Sequence, residues 1–490
     1  MDAPTQPFVA VRTTHRIAMP DTSSPTHNRA TAPQLDGDAR IAGLLMAINS
    51  RSRPSLLDFL RVHMTVSSSS PMTTDDYADW LVSFSRLSQG VVLREIKPVD
   101  TISFTQTVVV DDRVYSATHE FHLRFEAFAG GKILEIRGRP GELQSIAKSQ
   151  ADCLAQVQDL CDRGARAGVF SGTVLIARGS EVLFEYACGA ANKRYDVPNN
   201  PDTKFNLGSA NKMFTAVAVA QLVERGRLSF TDTVDQYIDD TWLPPSVTRR
   251  ITVHHLLSHT SGLGSFFNET FFNGSRARFR AIDDFKALVR DDRPAFAPGE
   301  RFEYSNNGVL LAGVIIERVT GMSYYDYIRE AIYAPSHMLD TDCYDIDAPV
   351  PNLAMGYIPL VDPTGRRSVP EWRENIFEHV AKGGPAGGGY STVRDLHRFA
   401  TSLISGVLVG PEMRQALWTD YAGMGYGYGF NVEKTASGTM IGHGGGFSGI
   451  SASFRVALDT GYVAIVLSNY DMGTFGLARC IEHVVDQIQE

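Results

Sequence analysis

Between Tyr115 and Glu126 the chain alternates. Tyr115, Ala117, His119, Phe121, Leu123 and Phe125 fall on one side, and Ser116, Thr118, Glu120, His122, Arg124 and Glu126 on the other. A period of two predicts a strand with one face in a core, here within a run over 113–128. Similar runs predict strands over 91–96, 101–109 and 132–137, with turns at Asp111-Asp112 and Gly130-Gly131. Before them the period lengthens. Ile41, Leu44, Leu45 and Ile48, then Leu56, Leu57 and Leu60, have helical spacing over 39–64, and Pro54 opens a second helix or bends the first. Tyr77, Trp80, Leu81 and Phe84 predict a helix over 75–87. Residues 38–140 are thus expected to form a small α+β domain. Residues 1–37, rich in Pro, Thr, Ser, Ala and Asp, are expected to be a disordered tail.

Residues 141–168 are expected to be a helical connector. A larger domain over 169–490 then opens with strands at 172–177 and 182–187 around Gly179-Ser180. It closes with strands near 428–433, 451–457 and 462–468 and a helix near 477–489. Strands at both ends of a domain can pair into one antiparallel sheet, with the helical segments between them packed on it.

The most informative segment interrupts this pattern. From Met213 to Val223 the chain is apolar almost all round, which predicts a buried helix. Ser209 and Lys212 stand just before it, three residues apart and so on one helical face. A serine hydroxyl needs a base beside it to act as a nucleophile. Burial disfavours an ammonium and turns a lysine into such a base. Gly208 suits a tight entry turn, Gly226 suits the end of the helix, and Ser209 is expected at the helix N-terminus. A second Ser-x-x-Lys, Ser145 to Lys148, lies in a polar connector and is taken as chance.

Two further motifs stand out: Tyr304-Ser305-Asn306 and His443-Gly444-Gly445-Gly446. In order and surroundings the three motifs resemble those of the serine β-lactamase-like family, which includes class C β-lactamases, D-alanyl peptidases, D-aminopeptidases and related esterases. The segments 251–263 and 387–396 resemble the family too, and the likeness spans about residues 165–490. The resemblance implies an α+β fold, an antiparallel sheet flanked by helices with a helical subdomain. It implies an acyl-enzyme on Ser209. Lys212 would be general base or the cation that keeps Tyr304 partly ionised, and Tyr304 would relay the proton to the leaving group. Which of the two takes the first proton stays open. Asn306 would bond Lys212 and the substrate's carbonyl side. His443 stands where class C relatives carry a lysine, and Gly446, with Gly445 beside it, would give an oxyanion N–H paired with that of Ser209. Residues 38–140 resemble, by pattern alone, the nuclear-transport-factor-2-like or cystatin-like fold.

Composition narrows the field. The 490 residues carry a net charge of −9, 43% hydrophobic and 21% charged residues, as in soluble globular proteins. No dense basic run points to nucleic acid, and no apolar stretch is long enough to span a membrane. Five scattered cysteines argue against a disulfide framework and for a reducing, cytoplasmic setting. The tail carries no apolar signal core. Arg12, Arg16 and Arg29 resemble a transit peptide only faintly against Asp2 and Asp21. His255 and His259 are four apart, but no Glu-x-x-His accompanies them, so neither metal nor cofactor is expected. Lys382-Gly383-Gly384 is a rival for the third motif, but Pro385 suits a loop. Gly-x-Ser-x-Gly, Walker and Rossmann signatures are absent.

The expectation is a serine hydrolase acting on a small ester or amide, esterase-like or D-aminopeptidase-like. A histidine, largely neutral at pH 7, weakens the anion site that a lysine makes for penicillin-like carboxylates. A β-lactamase or D-alanyl-D-alanine carboxypeptidase is the alternative within the class, and an inactive binding or scaffold protein the alternative outside it. Expected partners are the small-molecule substrate and a second copy of the chain through the first domain.

Overall fold

Ser52 and Thr73 set the first helices. Ser52 caps the helix α2 (Arg53–His63), whose first turn holds Pro54, so the proline starts a new helix after α1 (Gly37–Asn49) rather than bending one. Thr73 and Asp76 form a reciprocal capping box at α3 (Thr74–Ser88). The computed structural model describes residues 37–68, 70–126, 131–140, 143, 149–360, 371–435 and 437–488. The expected tail and the second Ser-x-x-Lys lie outside them, apart from the tail's last residue, Gly37. The chain divides into two compact units, with the break between residues 144 and 145.

In the first unit, β1 (Val91–Ile96), β2 (Thr105–Asp112), β3 (Thr118–Phe125) and β4 (Ile133–Pro140) form an antiparallel meander in that order. Leu44, Ile48, Leu57 and Leu81 from the helices share one core with Phe121, Leu123 and Ile136 from the sheet. Two strands start later than their patterns predict, because carboxylates hold the chain in turns. Asp112 accepts the N–H groups of Val114, Tyr115 and Ala117, which takes 113–117 out of the ladder. Asp100 accepts from Ile102 N–H and Ser103 Oγ, so the second strand starts at Thr105 and not at 101.

In the second unit, β5 (Gly172–Arg178) and β6 (Glu181–Cys188) join β7 (Asn431–Thr435), β8 (Gly438–Phe447), β9 (Ile450–Ala457) and β10 (Tyr462–Ser468) in one antiparallel sheet. Its order is β7-β8-β9-β10-β5-β6. Strands from the two ends of the unit meet at β10 and β5, in register from Tyr462 opposite Arg178 to Ser468 opposite Gly172. Every residue of β10 is buried, so both sheet faces are covered. On one face Phe454 packs on Phe399 of the helix α8 (Val393–Ile404). On the other, Ser453 and Arg455 bond Glu482 of the last helix, α9 (Phe475–Asp486).

Residues 141–168, expected as a connector, supply the helix α4 (Gln150–Arg166), which belongs to this unit. It is amphipathic, buries Cys153, Val157, Leu160 and Cys161, and its Cys153 thiol reaches the Val484 carbonyl of α9. No helix among the described residues is long and apolar enough to cross a membrane.

Candidate active site

Ser209 lies not on the first turn of the buried helix but in a 3-10 turn, Gly208–Asn211, that leads into α5 (Lys212–Glu224). The turn is held from two sides. Leu207 N–H donates to the Gly389 carbonyl and Gly388 N–H donates to the Gly208 carbonyl. Packed against it is β8, whose odd residues look toward the turn. A Cβ on Gly445 would stand 1.8 Å from the Leu207 carbonyl oxygen and 3.0 Å from Ser209 N, and a Cβ on Gly208 would stand 2.9 Å from Gly446 N. Glycine alone allows this approach, which sets the amides of Ser209 and Gly446 beside one another. Gly446 is solvent-exposed.

Lys212 is fully buried. Its Nζ meets Ser209 Oγ at 3.0 Å, Asn306 Oδ1 at 2.8 Å and the Ala386 carbonyl oxygen at 2.5 Å. Burial brings its pKa from 10.5 down to about 7. The three partners also settle the direction of its lone pair. Carbonyl oxygens only accept, so Asn306 and Ala386 take the two protons of a neutral amine, and the remaining direction is toward the Ser209 hydroxyl. Asn306 is oriented by its own amide, which donates to Ser265 Oγ at 3.0 Å. It opens the helix α7 (Asn306–Thr320), capped by Ser305.

The Tyr304 ring lies 4.9 Å from Lys212 Nζ, and its hydroxyl hydrogen-bonds with Ser209. Burial pushes the phenol pKa up and the Ser209 bond opposes this. The residue keeps 39% of its surface open to solvent, so the upward push is less than a sealed phenol would feel. The ring is walled by His259, Tyr426 and His443, at centroid distances of 4.3, 6.2 and 6.3 Å.

His443 is buried, and both its ring nitrogens are engaged. Nδ1 faces the Gly444 carbonyl, which only accepts, so Nδ1 carries the proton and Nε2 accepts from the Tyr426 hydroxyl at 3.0 Å. Burial, with Lys212 adding to it, presses its pKa down to about 3. Beyond Gly445 on the same strand face, the Phe447 ring stacks on Phe267 at 5.1 Å and 19°. Phe267 N–H donates to Ser265 Oγ, the hydroxyl that also holds Asn306.

The fold therefore brings Ser209, Lys212, Tyr304, Asn306, His443, Gly445 and Gly446 into one place. Lys382 is elsewhere, in a loop, bonded to Asp345 and lying over the Tyr325 ring. His255 and His259 each accept a backbone N–H at Nδ1, from Thr252 and Ser305 respectively. Three contributors carry no short-range signal in the chain: the Ala386 carbonyl, Tyr426 and His259. Each reaches the site only because distant segments fold onto it.

Comparison with known proteins agrees with this geometry. The Beta-lactamase family profile matches residues 155–487, more than half of the chain. A penicillin-binding protein of Bacillus subtilis is 29% identical over 332 residues, 64% of this chain and 72% of that protein. The crystal structure of a penicillin-binding protein from Bacillus halodurans superposes with a TM-score of 0.59 at 27% identity, covering 66% of this chain and 98% of the other. A D-stereospecific amidohydrolase from Streptomyces gives 0.54 at 26% identity, covering 66% and 97%. With its antiparallel sheet flanked by helices and these matches, the chain belongs to the Beta-lactamase family and has the β-lactamase/transpeptidase-like fold.

Proposed function

We propose that this protein is a serine hydrolase that cleaves a small ester or amide without a carboxylate through an acyl-enzyme on Ser209. The observation that carries the reading is the buried Lys212 amine, with two carbonyl acceptors for its protons and its third direction toward Ser209. With its pKa near 7, a large fraction of Lys212 is neutral at physiological pH, whereas the Tyr304 phenol is held protonated. Lys212 is therefore the first base. It takes the Ser209 proton as Oγ forms its bond to the substrate carbonyl carbon, and the amides of Ser209 and Gly446 receive the oxyanion. Tyr304 gives its proton to the departing oxygen or nitrogen and is reprotonated from Lys212. In the second half-reaction, water loses a proton to the same pair as it attacks the acyl carbon, the bond to Ser209 Oγ breaks to release the acid, and the pair returns that proton to Ser209 Oγ.

Two features support an acyl group without a carboxylate. His443 is neutral at physiological pH and turned inward, so no cation stands at the position where a lysine would bind a carboxylate. The Phe267–Phe447 pair offers an apolar wall. Similarity to a D-stereospecific amidohydrolase supports an amide of D configuration as one substrate type. Similarity to penicillin-binding proteins favours the second reading, a β-lactam or D-alanyl peptide. We read residues 38–140 as an accessory domain of the nuclear-transport-factor-2-like type. Its three helices and four-stranded meander support that, and the family match begins only at residue 155. The test is a panel of p-nitrophenyl esters, D-amino-acid anilides and nitrocefin with the full chain, beside labelling by a fluorophosphonate. Turnover of nitrocefin alone would reverse the substrate reading. A protein that hydrolyses nothing and takes no label at Ser209 would be a binding protein.

A further inference from the structure

His259 has unusual claims on the backbone around Tyr304. Its carbonyl oxygen accepts from Glu303 N–H at 2.8 Å, and its ring Nδ1 accepts from Ser305 N–H at 3.1 Å. One residue thus holds the Phe302–Glu303 peptide, one position upstream of Tyr304's own, and the Tyr304–Ser305 peptide directly after it. Its ring also lies against the Tyr304 ring, 4.3 Å between centroids and tilted by 39°, and against that of Tyr426 at 4.7 Å.

The residue is held at some cost. It is fully buried, and its φ of +57° is a left-handed conformation that non-glycine residues seldom adopt. Because Nδ1 accepts, the ring proton sits on Nε2, and that nitrogen has no hydrogen-bond partner among the described residues. A side chain that only filled space would not leave a buried N–H unsatisfied in a strained backbone. The acceptor at Nδ1 is what the position uses.

We propose that His259 is a positioning residue that aims the Tyr304 hydroxyl at Ser209 and the leaving group, by clamping the backbone N–H groups of Glu303 and Ser305 on either side of Tyr304. The proposal rests on the proton-relay role given to Tyr304 above. His259 itself touches no reacting atom. Misplacing a catalytic group by about 1 Å is enough to cost roughly 10²-fold in rate.

Three substitutions in the full chain test it, read by turnover of a p-nitrophenyl ester, by melting temperature and by fluorophosphonate labelling at Ser209. His259→Asn keeps an acceptor where Nδ1 stands and tolerates the left-handed backbone. It is expected to hold kcat within about threefold of the parent, as a preserved hydrogen-bond acceptor allows. His259→Gln carries its acceptor one bond too far, and His259→Ala has none. Each is expected to lower kcat by about tenfold or more with KM nearly unchanged, the mark of an interaction used in the transition state. In a Tyr304→Phe background the Gln or Ala change is expected to cost less than about twofold, because residues acting through one another are not additive.

The proposal is overturned if Gln and Ala match the parent, if Asn is as slow as Gln, or if Gln costs the same factor with and without the Tyr304 hydroxyl. Failure of both Gln and Ala to fold would make the residue structural and overturn it as well. Full turnover by Tyr304→Phe alone would remove the proton-relay role and this one together. A slow Tyr304→Phe with additive His259 effects would remove only this one.

Discussion

At the scale of single residues, a lysine and a serine become a reactive pair because of what surrounds the lysine. Burial lowers the Lys212 pKa from 10.5 to about 7, and in the proposed reaction the neutral amine is the active form. The sign follows directly: below that pKa the amine is protonated and cannot accept from Ser209. The rate of Ser209 acylation is therefore expected to rise about tenfold per pH unit up to about pH 7 and to level off above it. Stopped-flow labelling with a pH-insensitive fluorophosphonate measures the limb, and a flat profile from pH 5 to 8 would remove Lys212 as the base. An activated ester is expected to leave one adduct, at Ser209, seen by intact-mass spectrometry and lost in Ser209→Ala. Tyr304→Phe is expected to keep the melting temperature and to lower turnover by about 10²-fold, the usual size of a general acid–base contribution. Normal turnover would make the tyrosine a wall of the cleft only.

At the scale of elements, β8 does two jobs with alternate residues. Its odd positions face the Ser209 turn, where Gly445 leaves no room for a Cβ, 1.8 Å from a backbone oxygen that cannot move alone. Gly444 looks the other way, and a Cβ there would meet only the Ala452 carbonyl at 3.6 Å, an ordinary contact. Gly445→Ala is therefore expected to push the turn off the strand and abolish Ser209 labelling. Gly444→Ala is expected to label at the parent rate. Equal rates for the two variants would mean that the close approach is not needed. Farther along the same face, Phe447→Ala is expected to raise KM for aryl esters more than for acetyl esters, since it removes half of the stacked wall.

At the scale of the whole molecule, all the site residues lie in the second unit, and that unit begins with α4 rather than after it. A fragment starting at residue 145 keeps Cys153, Val157, Leu160 and Cys161 in their own core, whereas one starting at 169 exposes the surface they cover. The longer fragment is expected to be soluble and to label at Ser209, because a unit with its own core can fold alone. The shorter one is expected to aggregate. A folded 145–490 fragment that takes no label would mean that the first unit completes the site.

The chain by itself determined what local chemistry can determine. Helical periods over 39–64 and 75–87 reflect one face meeting a core, and periodicity records that directly, whereas the continuous apolar run at 462–468 reflects a strand buried on both faces. The spacing of Ser209 and Lys212 and the apolar run after them likewise marked a buried lysine beside a serine, whereas the strand β8 that carries His443 and its glycines was not among the expected strands. Only the tertiary structure decided the rest, because it depends on groups far apart in sequence. Carboxylates at Asp100 and Asp112 turned predicted strand into loop by capturing nearby amides, a competition that hydrophobic pattern does not register. The Ala386 carbonyl chose the direction of the Lys212 lone pair, the Tyr426 hydroxyl came to donate to Nε2 of His443, and His259 came to lie against a tyrosine 45 positions away. Proton positions follow from which acceptors surround a nitrogen, and those neighbours exist only once the chain has folded.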